Sequence, residues 1–261
     1  MREEPLSGGR NTSEVVRAGD TVRRARDPGS AFAARLLGYL ESAGYPYAPR
    51  FLGVDDRGRD ILTYVPGRTT DHPSQRADGA YAPGASMLRA LHDLTAGHPL
   101  AGGRECVLHG DPGPFNAIFS GGTPVAFVDW TSSRPGGRLD DLGHMAWTWC
   151  IQSEGNVPPG AQAAHLRELR DAYGPVPPQT LIDAMIRGQD RILLHSGQAS
   201  RTPVRGPSGT RAGGRRGTPV PARDGRWKRE DQLCDQPRLG PQLLLPRAPP
   251  AGAARAVRAG A

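Results

Sequence analysis

The 261-residue chain predicts an α+β fold of two lobes, a small antiparallel β-sheet lobe followed by a mainly helical one. Three observations carry this prediction. Short runs rich in β-branched residues, separated by turn residues, crowd the first 67 positions. Beyond them, apolar residues recur at helical spacing in several segments. Between the first of these helices and the rest lies one apolar strand-like run with a polar loop before it. A chain of this length can bury a real core, as one domain or as two lobes sharing a cleft.

The elements follow in order. Val15-Val16-Arg17 and Thr21-Val22-Arg23 flank the turn Ala18-Gly19-Asp20 and read as a hairpin. Asp27-Pro28-Gly29-Ser30 offers a helix start, and Phe32, Leu36, Leu37 and Leu40 share one helical face until Gly44. Phe51 to Val54 and Ile61 to Val65 read as two strands joined by the polar turn Asp55-Asp56-Arg57-Gly58 and ended by Pro66-Gly67. These place an N-terminal lobe at 1–67. A helical lobe follows at 68–196, with a helix through Met87, Leu88, Leu91 and Leu94 and others at 139–153, 161–173 and 179–195. Within it, Val125 to Val128 is the apolar strand, and Trp130, Trp147 and Trp149 read as core aromatics.

From 197 to 261 the periodicity stops, and 19 of these 65 residues are Gly or Pro, a density that predicts disorder. The same segment carries 13 basic and 4 acidic residues, against 20 and 22 in the first 196. The net charge of +7 therefore belongs to the tail. Nucleic-acid binding is not expected except as non-specific attraction through it. Cys106, Cys150 and Cys234 have neither disulfide-framework nor zinc-site spacing, no stretch approaches a membrane span, and no apolar leader follows Met1. The expectation is a cytoplasmic protein with no membrane partner.

The informative segment is His109-Gly110-Asp111-Pro112-Gly113-Pro114-Phe115-Asn116, of spacing H-x-D-x-x-x-x-N, with Asp129 13 residues further on at the end of the apolar strand. Phosphoryl transfer accounts for these residue types. An alcohol attacking a γ-phosphate needs a carboxylate to orient it and accept its proton, and Mg²⁺ needs hard oxygen ligands beside the phosphate. Asp111 is the candidate base, and Asn116 and Asp129 are the candidate metal ligands, delivered from two backbone segments. His109 is expected to orient the loop. His92 and His98 lack H-E-x-x-H or Cys/His-cluster spacing and read as capping or packing residues.

These residues resemble the aminoglycoside phosphotransferase-like kinases, whose loop reads H-G-D-x-x-x-x-N before a strand ending in D-W or D-F. Here the matches are His109-Gly110-Asp111, Asn116 and Val128-Asp129-Trp130, with Leu91-His92 before them and the segment Pro135 to Leu142 after. The resemblance implies a protein-kinase-like two-lobed fold, ATP or GTP as phosphoryl donor with Mg²⁺, a small-molecule substrate such as an aminoglycoside, sugar or amino alcohol, and Asp141 as a brace for the catalytic loop. In the N-terminal lobe it implies a phosphate-covering loop at Ser7 to Thr12 and a purine-meeting hinge at Tyr64 and Val65. It departs from the family at the nucleotide lysine, because the only lysine is Lys228. Arg23 best matches that strand position, with Arg24 next, and the acidic partner on the following helix would be Glu41 at its end. Glu154, Glu168 and Asp171 are available to an ammonium-bearing acceptor. A second reading is a catalytically inactive nucleotide-binding pseudokinase. The abrupt change near Gly197 matches a frameshifted or truncated product whose last helices are missing.

Overall fold

The computed structural model describes residues 2–6, 15–152 and 157–199, with side chains as far as 189. The expected phosphate loop at Ser7 to Thr12, Glu154, Lys228, Cys234 and the tail beyond 199 lie outside the described residues.

The N-terminal lobe is a five-stranded antiparallel sheet of order β1-β2-β3-β5-β4, built from β1 (Glu4–Pro5), β2 (Val15–Ala18), β3 (Thr21–Arg24), β4 (Phe51–Val54) and β5 (Asp60–Thr63). The expected strand through Val65 ends at Thr63: the amide of Tyr64 makes a last bond to the carbonyl of Asp20 at 2.9 Å, and Asp20 already lies in the turn before β3, so the ladder has no partner beyond it. Helix α1 (Ser30–Ser42) begins where Asp27 accepts from the amide of Gly29 at 2.8 Å, and it buries Leu36, Leu37 and Leu40, the predicted face.

The second lobe is built on α2 (Tyr81–Thr95), α3 (Arg138–Cys150), α4 (Pro159–Tyr173) and α5 (Pro178–Ala199), with α3 packed on α5 and α2 on α4. Helix α5 continues past Gly197, where the helical pattern was expected to stop. Two short ribbons lie between α2 and α3: β6 (Cys106–Leu108) with β9 (Arg134–Gly136), and β7 (Ala117–Ser120) with β8 (Thr123–Phe127). The β7–β8 ribbon touches both lobes, exchanging two backbone hydrogen bonds with Arg68 at Phe119 and donating from the amide of Phe127 to the carbonyl of Tyr47 at 2.8 Å. Trp130, Trp147 and Trp149 are at most 2% exposed, as expected of core residues. They share one apolar cluster with Leu36 and Leu40 of α1 and Leu88 and Leu91 of α2, so the core is continuous between lobes. The architecture is the mixed, two-lobed, protein-kinase-like fold that the sequence predicts.

Candidate active site

The loop after β6 is held from beneath by one buried carboxylate. Asp141, on the first turn of α3 and 1% exposed, accepts from the amides of His109 at 2.6 Å and Gly110 at 3.0 Å and meets Nε2 of His92 at 3.2 Å. His92 lies on the buried stripe of α2 and uses Nδ1 on the hydroxyl of Tyr173 at 2.7 Å. Burial alone would raise the Asp141 pKa, but the His92 bond and charge, with His109 and the Gly110 amide, hold it below the ordinary carboxylate value. Arg138 ties the start of α3 to α2 and to the segment before β6, through Asp93 and through Glu105 at 3.2 Å.

His109 is fully buried and joins two segments. Its Nε2 reaches the carbonyl of Val128 at 3.1 Å, and its Nδ1 accepts from the amide of Asp111 at 3.3 Å. A ring donating from Nε2 and accepting at Nδ1 is neutral. Burial pushes its pKa below the ordinary value, against the opposing pull of Asp141, Asp111 and Asp129. The His109 ring thus links the amide of Asp111 to the carbonyl of the residue before Asp129.

Asp111 and Asn116 are joined directly. The Asn116 amide nitrogen donates to Oδ2 of Asp111 at 2.7 Å and to its carbonyl at 3.0 Å. Both of these bonds use the amide nitrogen and leave the amide oxygen out. Asn116 precedes β7 while Asp129 follows β8 by one residue, and the Val128 amide bonds the Asn116 carbonyl at 2.8 Å, so both candidate ligands leave the same end of one ribbon. Asp129 has φ 63° and ψ 63°, and it is the one non-glycine with positive φ among the described residues. Such a conformation costs roughly 1–3 kcal/mol, and aspartate is among the residues that tolerate it best. Its consequence is a carboxylate 41% exposed at the ribbon's end instead of one packed along a strand.

Two close approaches fix the turn after Asp129. A side chain at Gly110, whose φ is +89°, would meet the Ser132 carbonyl at 2.1 Å, and one at Gly29 would meet the Thr131 carbonyl at 1.9 Å. Only glycine lets the 109–116 loop and the N-terminus of α1 close on this turn from their two sides.

The N-terminal lobe corrects one expectation. Arg23 points to the β4–β5 turn, 3.8 Å from Asp55, with Nη1 on Thr21. Arg24 is the residue that reaches the site, with Nη1 2.7 Å from Asp129 Oδ1 and Nη2 2.9 Å from Thr131 Oγ1. The period-two alternation of β3 sends adjacent arginines to opposite faces. Glu41 pairs with Arg50 at 3.3 Å, so the carboxylates beside Arg24 are Asp129 and, at 3.4 Å, Asp27. Tyr64 and Val65 lie half-buried just beyond β5, with the Arg17 guanidinium 3.9 Å from the Tyr64 ring centroid. Sequence reasoning missed His144 of α3, whose Nε2 lies 3.0 Å from Asp111 Oδ1; its i+3 spacing from Asp141 was the available signal. Of the acids considered for an acceptor, Glu168 accepts from the Ala82 amide at 2.9 Å and Asp171 is held by Arg170 at 2.5 Å.

Residues 88–176 match the model of the phosphotransferase enzyme family. That stretch contains His92, the 109–116 loop, Asp129, Asp141 and His144, and over it the resemblance read from the sequence is borne out. A curated relative, the trifolitoxin immunity protein of Rhizobium leguminosarum bv. trifolii, is 33% identical over 158 residues. This match takes in 54% of the chain and 60% of that relative's length. Among solved structures, a choline/ethanolamine kinase family protein from Mesorhizobium loti superposes with a TM-score of 0.54 at 23% identity, covering 78% of this chain and 82% of that one. The aminoglycoside phosphotransferase APH(3'')-Id from Streptomyces rimosus, solved with ADP and streptomycin, gives 0.53 at 15% identity, covering 70% and 89%. At these identities the structures establish the shared fold. The buried Asp141–His92 pair and the His109 bridge are the parts of this fold that hold the loop bearing Asp111 and the segment before Asp129 in place.

Proposed function

We propose that the chain is an O-phosphotransferase that moves the γ-phosphoryl group of ATP or GTP to a hydroxyl of a small molecule. The observation that carries this reading is the convergence of a partly exposed carboxylate, Asp111, with the amide of Asn116, at the end of the ribbon from which Asp129 also emerges. In the proposed step Asp111 orients the acceptor hydroxyl and takes its proton, the acceptor oxygen bonds to the γ-phosphorus, and the bond from that phosphorus to the β,γ-bridging oxygen breaks. Nucleoside diphosphate leaves with the bonding electrons.

The donor set suits magnesium. One amide oxygen and one carboxylate, with phosphate oxygens and water completing the shell, is how this hard cation is commonly held, and no cluster of three or more His, Cys, Asp or Glu poised for a metal occurs among the described residues. Asn116 and Asp129 would hold Mg²⁺, which when bound neutralises phosphate charge. Arg24 takes the place of the absent lysine as the cation beside the phosphates. Its planar fork can engage a phosphate and Asp129 together. The backbone around Tyr64 and Val65 is assigned to the purine, residues 1–67 to the nucleotide lobe and 68–196 to the catalytic and acceptor lobe. The cytoplasm, where ATP and GTP are supplied, is the proposed setting; among the described residues no helix is long and apolar enough to cross a membrane.

A second reading, nucleotide binding without transfer, is favoured by the Arg24–Asp129 contact, which engages one carboxylate oxygen that a cation would otherwise use. Mg²⁺-dependent nucleotide turnover with aminoglycosides, sugars, choline, homoserine and, because one relative is named for it, trifolitoxin separates the two. Turnover with at least one acceptor is expected. Nucleotide binding without turnover across the panel would leave the second reading standing.

A further inference from the structure

The base is gripped on both oxygens, one from its own loop and the other from α3. Asn116 takes Oδ2 of Asp111 at 2.7 Å, while Oδ1 lies 3.0 Å from Nε2 of His144 on α3. An ionised carboxylate only accepts, so Nε2 carries the proton in this contact. The Asp111 side chain is 42% exposed, whereas that of His144 is 15% exposed and stands on a helix. Without a second anchor a carboxylate so exposed would exchange rotamers on its short stem.

The same helix holds the loop in two ways. Asp141 binds the backbone of His109 and Gly110, and His144, one turn later, binds the carboxylate of Asp111. The next turn brings Thr148, which is 7% exposed and donates to the His144 carbonyl at 2.8 Å. These groups share one small space. The point where a side chain of Gly113 would begin lies 3.5 Å from Asp111 Oδ1, 3.8 Å from His144 Nε2 and 3.8 Å from Thr148 Oγ1. A hydroxyl above the bare face of Gly113 would therefore meet a proton acceptor, a nitrogen donor and a threonine oxygen.

We propose that His144 is a positioning residue, fixing Oδ1 of Asp111 over the open face of Gly113 so that the carboxylate meets the acceptor hydroxyl there. The inference deepens the phosphotransferase reading and rests on it. Its effect falls on the acceptor side, because Asn116, Asp129 and Arg24 make no hydrogen bond to His144. A misplacement of about 1 Å at a reacting group can cost about 100-fold in rate. A loss of roughly 10- to 100-fold in kcat is expected for His144→Leu, which keeps the bulk and removes the donor. Nucleotide affinity should stay within about twofold. His144→Gln can bring its amide nitrogen close to the position of Nε2 and should recover most of the rate.

Gly113 has φ −69° and ψ 165°, which an alanine adopts freely, and the nearest atoms would be in ordinary contact with its Cβ. Gly113→Ala should thus fold normally, raise the acceptor KM severalfold and leave nucleotide affinity unchanged. The test is steady-state kinetics of these three variants on an acceptor identified by the panel, with calorimetric nucleotide affinities and the wild type and Asp111→Asn alongside. Wild-type turnover that Asp111→Asn abolishes establishes the underlying reading independently. If His144→Leu then keeps wild-type kcat, or if Gln fails to rescue a well-folded Leu variant, the role of His144 is overturned alone. An unchanged acceptor KM in Gly113→Ala overturns the seat above Gly113. Absence of wild-type turnover with every acceptor removes both the reading and this inference.

Discussion

Replacing Asp141 with asparagine isolates the buried brace from the reacting groups. The carboxylate is 1% exposed and receives the amides of His109 and Gly110 and the ring of His92, the first and last on Oδ2 and the other on Oδ1. Asparagine keeps one oxygen and puts an NH₂ in place of the other. In its better orientation the Gly110 amide faces a donor; in its worse one, two donors do. Charge assistance is lost on every remaining contact. Hydrogen bonds to charged groups contribute about 1.5–3 kcal/mol each, and breaking a buried pair from one side costs about 3–5 kcal/mol, so a loss of about 3–5 kcal/mol is expected. That is a large part of the stability of a typical domain, about 5–15 kcal/mol. Urea unfolding followed by tryptophan fluorescence, sensitive here to the buried Trp130, Trp147 and Trp149, should give a midpoint lower by roughly 1–2 M at a slope of about 2–3 kcal/mol/M. A loss below about 1 kcal/mol would refute the claim that Asp141 holds the loop.

Other perturbations test neighbouring parts. Gly110→Ala forces a Cβ to within 2.1 Å of the Ser132 carbonyl at a φ of +89°; a stability loss of roughly 2–5 kcal/mol and loss of turnover are expected by the same fluorescence assay and by product formation. Arg24→Ala should weaken nucleotide binding by about 10- to 100-fold, the worth of one charge-assisted contact, whereas Arg23→Ala, which loses its contacts with Thr21 and Asp55, should stay within about twofold; calorimetry separates them. Acid should destabilise the fold through two groups. Burial holds His109 below its ordinary value, so as pH falls past about 6.5 the unfolded chain takes up this proton first. Asp141 is also held below its ordinary value, by His92 against burial, and its contribution is full at neutral pH and lost on acidification below the ordinary carboxylate value. The unfolding free energy from urea titrations should decline below pH 6.5 with a slope approaching about 1.4 kcal/mol per pH unit for the first proton, and His109→Gln should flatten that first stage.

The elements that were readable from sequence are those with enough residues to display a period. α1, with Leu36, Leu37 and Leu40, and the helices of the second lobe state their buried faces directly. β6 and β9 do not: Cys106–Leu108 is too short to alternate, and Arg134–Gly136 contains a proline and a glycine and becomes a strand only because β6 lies beside it. The 109–116 loop stood out because its polar residues are closely spaced and chemically specific. The choice between Arg23 and Arg24 was not, since it depends on which face of β3 looks toward Asp129, a matter of register set by pairing with β5. His144 was hidden for a related reason. Its partner Asp111 lies 33 positions away, and nothing in a helical pattern tells a histidine that faces a loop from one that faces solvent.

The central claim is that Asp111 performs the proton transfer while Asn116 and Asp129 hold the cation, in one site. Side-by-side measurement of Mg²⁺-dependent nucleotide affinity and phosphorylated acceptor for Asp111→Asn and Asp129→Asn tests it most directly. The account predicts that Asp111→Asn binds Mg²⁺–nucleotide as the wild type does and forms no product, while Asp129→Asn loses the Mg²⁺-dependent part of the affinity together with turnover. Product formation by Asp111→Asn at the wild-type rate, or undiminished Mg²⁺ dependence in Asp129→Asn, would contradict it.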